Sequence, residues 1–151
     1  MLYLEVPDCE YMLRERAFWD VIYEHCSYFS TRSMTELLRR GGYEVLDAAP
    51  CFGGQYLGVE ARPVATPADA GMPGSGVLAE MASTFDRARD DELVRWTRRL
   101  DELLAEDGGG VVLWGAGSKG VTFACSLERG GELAAAVDVN PRKHGLHLPM
   151  T

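Results

Sequence analysis

The pattern of apolar and polar residues predicts a mixed α/β chain that opens with a strand. Residues 1–6 are mostly apolar and end at Pro7-Asp8, which predicts a buried strand followed by a loop. Residues 9–21 interleave apolar and charged side chains less regularly, which predicts an irregular helical segment. Ligands of open α/β sheets bind at the carboxyl ends of the strands. We therefore expect the residues after this segment to lie over that edge of the sheet.

The next pattern predicts a helix with a defined beginning and end. Ser30 or Ser33 can cap it, the latter together with Glu36 in a capping box, and Gly41-Gly42 ends it. The apolar face of the helix is formed by residues three and four positions apart, namely Met34, Leu37 and Leu38. We therefore expect one side of this helix to be buried.

Two strand-like runs follow, over residues 43–48 and 55–61, and the loop over residues 50–54 has a length that suits an antiparallel hairpin. Residues 62–77 hold three prolines and three glycines and little that could be buried, which is typical of a linker. A domain boundary is expected there. The predicted organisation is a first domain over residues 1–61, a linker over 62–77 and a second domain over 78–151.

The second domain carries the pattern of a βαβ unit. Apolar residues recur close to the helical period over residues 78–106, which predicts one long or two shorter amphipathic helices. The predicted βαβ elements are a strand over residues 111–114, a helix from about 118 to 129 and a strand over 133–137. The sequence GAGSKG, at residues 115–120, connects the first strand to the helix and matches the G-x-G-x-x-G of dinucleotide-binding folds.

This glycine motif has two interpretations. Gly115, Gly117 and Gly120 permit a tight turn and the close approach of an anion to a helix N-terminus, whose N–H groups attract phosphate. Lys119 and Asp138 would then contact a nucleotide or phosphate, since an acidic residue after the next strand can hold ribose hydroxyls. The same turn can instead pack a helix tightly against a sheet. The residues alone leave both interpretations open.

The chemistry-bearing cluster of the first domain is Tyr23-Glu24-His25, within residues 18–30. Histidine exchanges a proton near neutral pH, and a neighbouring carboxylate raises its basicity and fixes its tautomer. His25 is therefore the best general-base candidate. An ordinary half-buried turn among aromatic residues is the alternative interpretation of the same three residues.

Charge and cysteine content narrow the range of partners. A formal charge of −8 and a pI near 4.8 oppose binding to nucleic acid or to an anionic membrane surface. The chain shows no long apolar run and no signal-peptide pattern, so a cytoplasmic location is expected. Its four cysteines lack C-x-x-C spacing, and we predict no metal site. Cys26 is a secondary nucleophile candidate because it follows His25 directly.

Taken in order, these segments resemble the C-terminal half of the S-adenosylmethionine-dependent C-methyltransferases, a family that includes deoxysugar C-methyltransferases of antibiotic pathways. The resemblance covers nearly the whole chain and is carried by YLEVPD, FWDVIYEHCSYFS, SMTELLRRGGYEVLD, FGGQYLGVEARP, VVLWGAGSKGVTF and VDVNPRKHGLHLP. It implies an α/β fold in which residues 1–61 end a class I methyltransferase sheet with its antiparallel hairpin, and residues 78–151 begin a Rossmann-like domain. It also implies that the chain is a fragment.

The resemblance implies methylation of a carbon next to a ketone, in a substrate such as a nucleotide-linked keto sugar. His25 would remove the proton to form the enolate, Glu24 would orient or assist it, and Tyr23 would stabilise the enolate oxygen. Tyr28 is an alternative phenol, because some family members place the tyrosine one residue further from the Glu-His pair. The implied cofactor is S-adenosylmethionine, whose main binding loop is not found in this sequence.

Two other functions fit the same sequence. A non-catalytic remnant or partner domain would fold on another chain, such as a separate N-terminal methyltransferase chain. A nicotinamide-dependent oxidoreductase would use GAGSKG as its cofactor loop.

Overall fold

The computed structural model describes residues 1–66, 74, 76–106 and 110–149, and these form a mixed α/β protein. The chain divides into two compact units. The first comprises Met1–Ala17 and His25–Phe85, and the second comprises Phe18–Glu24 and Asp86–Thr151. The first contains a three-stranded antiparallel sheet, and the second contains a small two-stranded parallel sheet.

The sheet of the first unit has the strand order β1-β3-β2. Strand β1 is Leu2–Pro7, β2 is Tyr43–Cys51 and β3 is Tyr56–Pro63, and both neighbours of β3 run antiparallel to it. The predicted antiparallel hairpin is therefore confirmed. Its strands are longer than predicted because β2 continues through Pro50, which lacks an N–H group and is tolerated in an edge strand.

The expectation of a buried first strand holds for one face of the strand only. Burial alternates along β1, with Leu2, Leu4 and Val6 turned toward the core and Tyr3 58% exposed. Because β1 pairs antiparallel with β3, one face of the sheet can remain in water. The rule for the carboxyl edge of open parallel sheets therefore does not apply to β1 in this unit.

Helix α2, Thr31–Arg40, covers the other face of β1–β3 and begins at a cap formed by two serines. Ser30 is the N-cap, its hydroxyl accepts from the Ser33 N–H at 3.2 Å, and the Ser33 hydroxyl accepts from the Ser30 N–H at 2.9 Å. The predicted alternative, Ser33 capping with Glu36, is wrong because Ser33 already lies inside the first turn. Glu36 instead forms an ion pair with Arg40 at 3.1 Å, one turn further along the helix.

The core of the first unit lies between α2 and the sheet. Its buried side chains come from one face of the helix and from the central strand, namely Met34, Leu38, Leu57, Val59 and Ala61. Full burial of a side chain such as Leu57 stabilises the fold by about 1.5–3 kcal/mol. Leu37, which was predicted to share the apolar face, is 51% exposed.

The predicted irregular helical segment is confirmed as two short pieces. Helix α1 is Cys9–Arg14, capped by the Asp8 carboxylate, which accepts from the Glu10 N–H at 2.8 Å. Arg16 then has φ of 55°, a left-handed conformation that ends the helix. A single 3-10 turn follows at Phe18–Asp20.

The second unit contains the predicted βαβ arrangement. Strand β4 is Val112–Trp114, helix α4 is Ser118–Ser126 and strand β5 is Ala135–Val137, which pairs in parallel with β4. Helix α4 and strand β5 are shorter than predicted because a 3-10 turn at Gly130–Glu132 occupies the end of the connection. One long helix, α3, spans Gly76–Ala105 and contributes to both units.

The two units do not follow the predicted domain limits of 1–61 and 78–151. The second unit includes Phe18–Glu24, because the 3-10 turn of this segment packs against α4. Residues 67–73 and 75 of the predicted linker lie outside the described residues. Within the described ranges, no helix has both the length and the apolar character needed to cross a bilayer.

Candidate functional site

The Tyr23-Glu24-His25 cluster lies on the irregular segment between the 3-10 turn and α2. Tyr23 is 100% exposed, Glu24 is exposed and His25 is half-buried. Tyr23 and Glu24 belong to the second unit, whereas His25 belongs to the first. The phenol that packs beside the imidazole within its own unit is Tyr28, whose ring centroid lies 6.0 Å from that of His25 in an edge-on arrangement.

The end of this segment is fixed to the carboxyl end of β1. The Cys9 N–H donates to the Phe29 carbonyl at 2.9 Å, and Asp8 and Phe29 form an isolated parallel bridge. Ser30 then caps α2. His25 is thus four residues from a backbone attachment to the sheet, which limits the space that its ring can explore.

The first and third glycines of GAGSKG are required for different reasons, and the second is not. Gly115 has φ of +102°, a conformation that side chains other than glycine rarely adopt. At Gly120 a Cβ would lie 1.9 Å from the Gly115 carbonyl oxygen, so only glycine allows α4 to approach the turn. A Cβ on Gly117 would meet no atom within 4 Å. The requirements at the first and third glycines are those of helix–strand packing.

Asp138 ties the glycine turn to the loop after β5. Its carboxylate accepts from the Asn140 N–H at 2.9 Å, from the Lys143 ammonium at 3.0 Å and from the Ala116 N–H at 3.0 Å. The hydrogen bond from Asn140, followed by that from Lys143, lowers the pKa of Asp138 below its ordinary value. Asp138 is therefore an anion whose charge is already compensated within the chain.

A cavity lies beside the hydrogen bonds of Asp138. It has a volume of about 580 Å³, and its walls include Ala116, Asp138, Lys143 and His144. Lys143 also donates to the Ala116 carbonyl at 2.7 Å, so two of its three N–H donors are used. The volume is within the range of small-molecule pockets.

Lys119 forms an ion pair within the second unit. Its ammonium lies 2.7 Å from Asp20 Oδ1, in an ion pair with a carboxylate that is 4% exposed. Asp20 belongs to the 3-10 turn just before Tyr23. Lys119 and Asp138, the two side chains that were predicted to contact a nucleotide, therefore each have a partner within the chain.

Two residues that take part in these contacts were not predicted from the sequence. Lys143 lies five residues after Asp138 in D-x-N-P-x-K. The turn residues between them could have suggested that the chain folds back and brings the two side chains into contact. Asp20 carried no signal beyond a lone carboxylate among aromatic residues. Its partner is 99 positions away in the sequence, since 119 minus 20 is 99, and no local pattern reveals such a pair.

The described residues provide no grouping of three or more His, Cys, Asp or Glu side chains suited to a metal ion. They also fit S-adenosylmethionine poorly, because the polar groups around the glycine turn are engaged with one another. The Ala116 N–H and the Asp138 carboxylate are joined, and Lys119 is paired with Asp20.

Comparison with known proteins identifies no family. No protein-family model matches the chain, and the search of curated proteins gives no significant match.

Proposed function

We propose that this chain supplies the substrate-side catalytic base of an S-adenosylmethionine-dependent C-methyltransferase, with His25 removing a proton from a carbon next to a ketone. The substrate class is a small keto compound such as a nucleotide-linked keto sugar. The observation that carries the proposal is the position of the Tyr23-Glu24-His25 cluster on an irregular segment open to solvent. A buried histidine would be unable to reach a substrate.

The architecture of both units supports this proposal. The family resemblance requires a terminal antiparallel hairpin after the histidine segment, and β2 and β3 form such a hairpin. It also requires a βαβ start around the glycine motif, and β4, α4 and β5 have that arrangement. Neither feature identifies the reaction, but both are conditions that the proposal must meet.

The proposed chemistry is a proton transfer. A neutral His25 nitrogen accepts the proton, the carbon–hydrogen bond breaks, and its electron pair forms the enolate with the ketone oxygen. Glu24 orients or assists this base, and a tyrosine hydroxyl donates to the enolate oxygen. Tyr28 is one candidate for this donor because its ring packs against His25, and Tyr23 is the other because its side chain is exposed.

The methyl donor of this reaction class is S-adenosylmethionine. Since the described residues do not fit that cofactor, the proposal assigns its binding to other residues or to a separate methyltransferase chain. Proton removal from the ketone substrate is therefore the part of the reaction that this chain can be tested for alone.

The test is exchange of the substrate's acidic proton in D₂O. The chain is incubated with a nucleotide-linked keto sugar, and loss of the proton signal next to the ketone is followed by NMR. We expect exchange to depend on protein and to fall by about 10²- to 10⁴-fold in His25→Asn, the usual contribution of a general base. Unchanged exchange in that variant would refute the role of His25.

Matched variants separate the base from its neighbours. His147→Asn removes an exposed histidine from the second unit and should leave exchange unchanged. Tyr28→Phe and Tyr23→Phe each remove one phenol hydroxyl. The larger decrease identifies the tyrosine that stabilises the enolate.

A second candidate function, a non-catalytic partner domain, is favoured by the outer face of the parallel sheet. Val112 and Trp114 on β4 are 49% and 81% exposed, and they pair in register with Ala135 and Val137 on β5. Parallel sheets are normally covered on both faces. Wild-type chain that binds a methyltransferase chain but gives no proton exchange would favour this function over the first.

The nicotinamide-dependent oxidoreductase receives less support, because Asp138 and the Ala116 N–H are bonded to each other. Calorimetric titration with NAD(H) and NADP(H) tests it directly. Tight binding would favour it over the methyltransferase.

A further inference from the structure

We infer that Lys119 of the glycine motif is a positioning residue, which holds the segment bearing the candidate base through an ion pair with Asp20. The inference deepens the proposed function and rests on it for the role of His25. The lysine of this G-x-G-x-x-G sequence contacts a carboxylate of its own chain.

The contact is short and its anion is buried. The Lys119 ammonium lies 2.7 Å from Asp20 Oδ1, and the side chains are 32% and 4% exposed. Among the described residues, Asp20 Oδ1 accepts no hydrogen bond, so its negative charge is compensated by the Lys119 ammonium. A buried carboxylate without a counter-charge is strongly disfavoured.

Aromatic packing joins the same two elements as this ion pair, the 3-10 turn and α4. Phe18 is 3% exposed and stacks on Phe123 of α4, with ring centroids 5.9 Å apart. Trp19 meets the same Phe123 ring edge-on at 6.3 Å. Apolar contact supplies attraction without direction, whereas the ion pair fixes which residues meet.

The position of Asp20 in the sequence allows the ion pair to restrain the segment that carries the candidate base. Asp20 precedes Tyr23 by three residues and His25 by five, and Phe29 fixes the other end of the segment to β1. Lys119 therefore restrains the entry into the segment, while the backbone bonds of Phe29 restrain its exit. Loss of the ion pair should free the part that carries Tyr23 and Glu24.

Amide hydrogen exchange followed by mass spectrometry tests this on the full chain. In Lys119→Met, which keeps a long unbranched side chain but removes the charge, we expect peptides over residues 18–24 to exchange at least tenfold faster. Peptides over β3 should be unchanged. Lys119→Arg retains a cation and should restore the wild-type rate. Equal exchange over residues 18–24 in Lys119→Met and wild type would overturn the inference.

Two further variants keep the test decisive. Asp20→Asn removes the other charge of the pair and should accelerate exchange in the same peptides even if Lys119→Met fails to fold. Lys143→Met removes a lysine whose contacts are with Ala116 and Asp138, so residues 18–24 should stay protected. Accelerated exchange in Lys143→Met equal to that in Lys119→Met would overturn a specific role for Lys119.

Addition of inorganic phosphate distinguishes an internal anion from a ligand site. If Asp20 is the partner of Lys119, phosphate at matched ionic strength should leave protection of residues 18–24 unchanged. Phosphate-dependent acceleration would mean that an external anion takes the lysine, and would overturn the inference.

The proton-exchange assay with substrate measures a quantity that a purely structural role of Lys119 would leave unchanged. Where the wild type catalyses proton exchange, Lys119→Met should lower kcat with little change in KM, and Lys119→Arg should recover it. Absence of proton exchange in the wild type would refute the proposed function, yet the hydrogen-exchange result would still decide whether Lys119 holds the segment. The two failures are therefore distinguishable.

Discussion

Asp138 shows how one carboxylate can organise a turn without binding a ligand. It accepts hydrogen bonds from the Ala116 N–H, at the glycine turn, and from Asn140 and Lys143, in the loop after β5. An acidic residue at this point of a dinucleotide fold would hold ribose. Here both of its carboxylate oxygens accept hydrogen bonds from the chain, which favours the packing interpretation of the glycine motif over nucleotide binding.

The lowered pKa of Asp138 gives a prediction for acid stability. Because the folded pKa lies below the unfolded value of about 3.9, the ionised carboxylate stabilises the fold above that pH. The contribution should disappear as the pH falls through the folded pKa. We expect Asp138→Asn to lower the urea midpoint at pH 7, and this difference from wild type to disappear as the pH falls through the folded pKa of Asp138.

NMR provides the local measurement. The amide signals of Ala116 and Asn140 should titrate together at one acidic midpoint in the wild type, because both donate to the same carboxylate. Independent midpoints for the two amides would contradict the shared acceptor.

At the scale of elements, α2 shows how tertiary packing selects among apolar residues of one helix. Leu37 and Leu38 are neighbours in the sequence and were both predicted to face the core. Only Leu38 is buried, at 7% exposure, while Leu37 is 51% exposed. Adjacent positions on a helix point about 100° apart, so the sheet can cover one of them and leave the other in water.

This pair of leucines supplies a matched stability prediction. Leu38→Ala should lower the free energy of unfolding by about 2–5 kcal/mol, because it leaves a cavity between α2 and the sheet. Leu37→Ala should change it by no more than about 0.5 kcal/mol. Urea denaturation followed by circular dichroism measures both, and equal effects would contradict the assigned orientation of α2.

At the scale of the whole molecule, the sequence order of the segments differs from their grouping in space. Phe18–Glu24 belongs to the second unit although residues of the first unit precede and follow it. A division of the chain within residues 62–77 would therefore leave the second unit without a segment that packs on α4. The linker composition marks a break in the sequence but not the full boundary of the packed unit.

Cleavage at an engineered protease site within residues 67–73 tests this arrangement. We expect the two pieces to remain associated under native conditions, because Phe18 and Asp20 on the N-terminal piece pack against Phe123 and Lys119 on the other. Size-exclusion chromatography measures the association. Asp20→Asn combined with Lys119→Met should weaken it, and separate elution of the unmodified pieces would contradict it.

Features that depend on near neighbours could be predicted from the order of the amino acids alone. Periodicity predicted the elements, the hairpin and the βαβ order, and the glycine motif marked a turn where Gly115 and Gly120 permit a conformation and an approach that other residues do not. Strand and helix ends were less accurate, because an edge strand tolerates Pro50 and an isolated α4 has no strong C-terminal signal.

The identity of the charged groups that meet could be learned only from the packing of the folded chain. The pairing of Lys119 with Asp20 depends on the packing of Phe18 and Trp19 around Phe123. The motif had suggested that this lysine binds phosphate, but its partner is a carboxylate of the same chain. Local sequence fixes backbone preferences over a few residues. Contacts between distant residues arise from burial of apolar surface over the whole chain, which no short pattern contains.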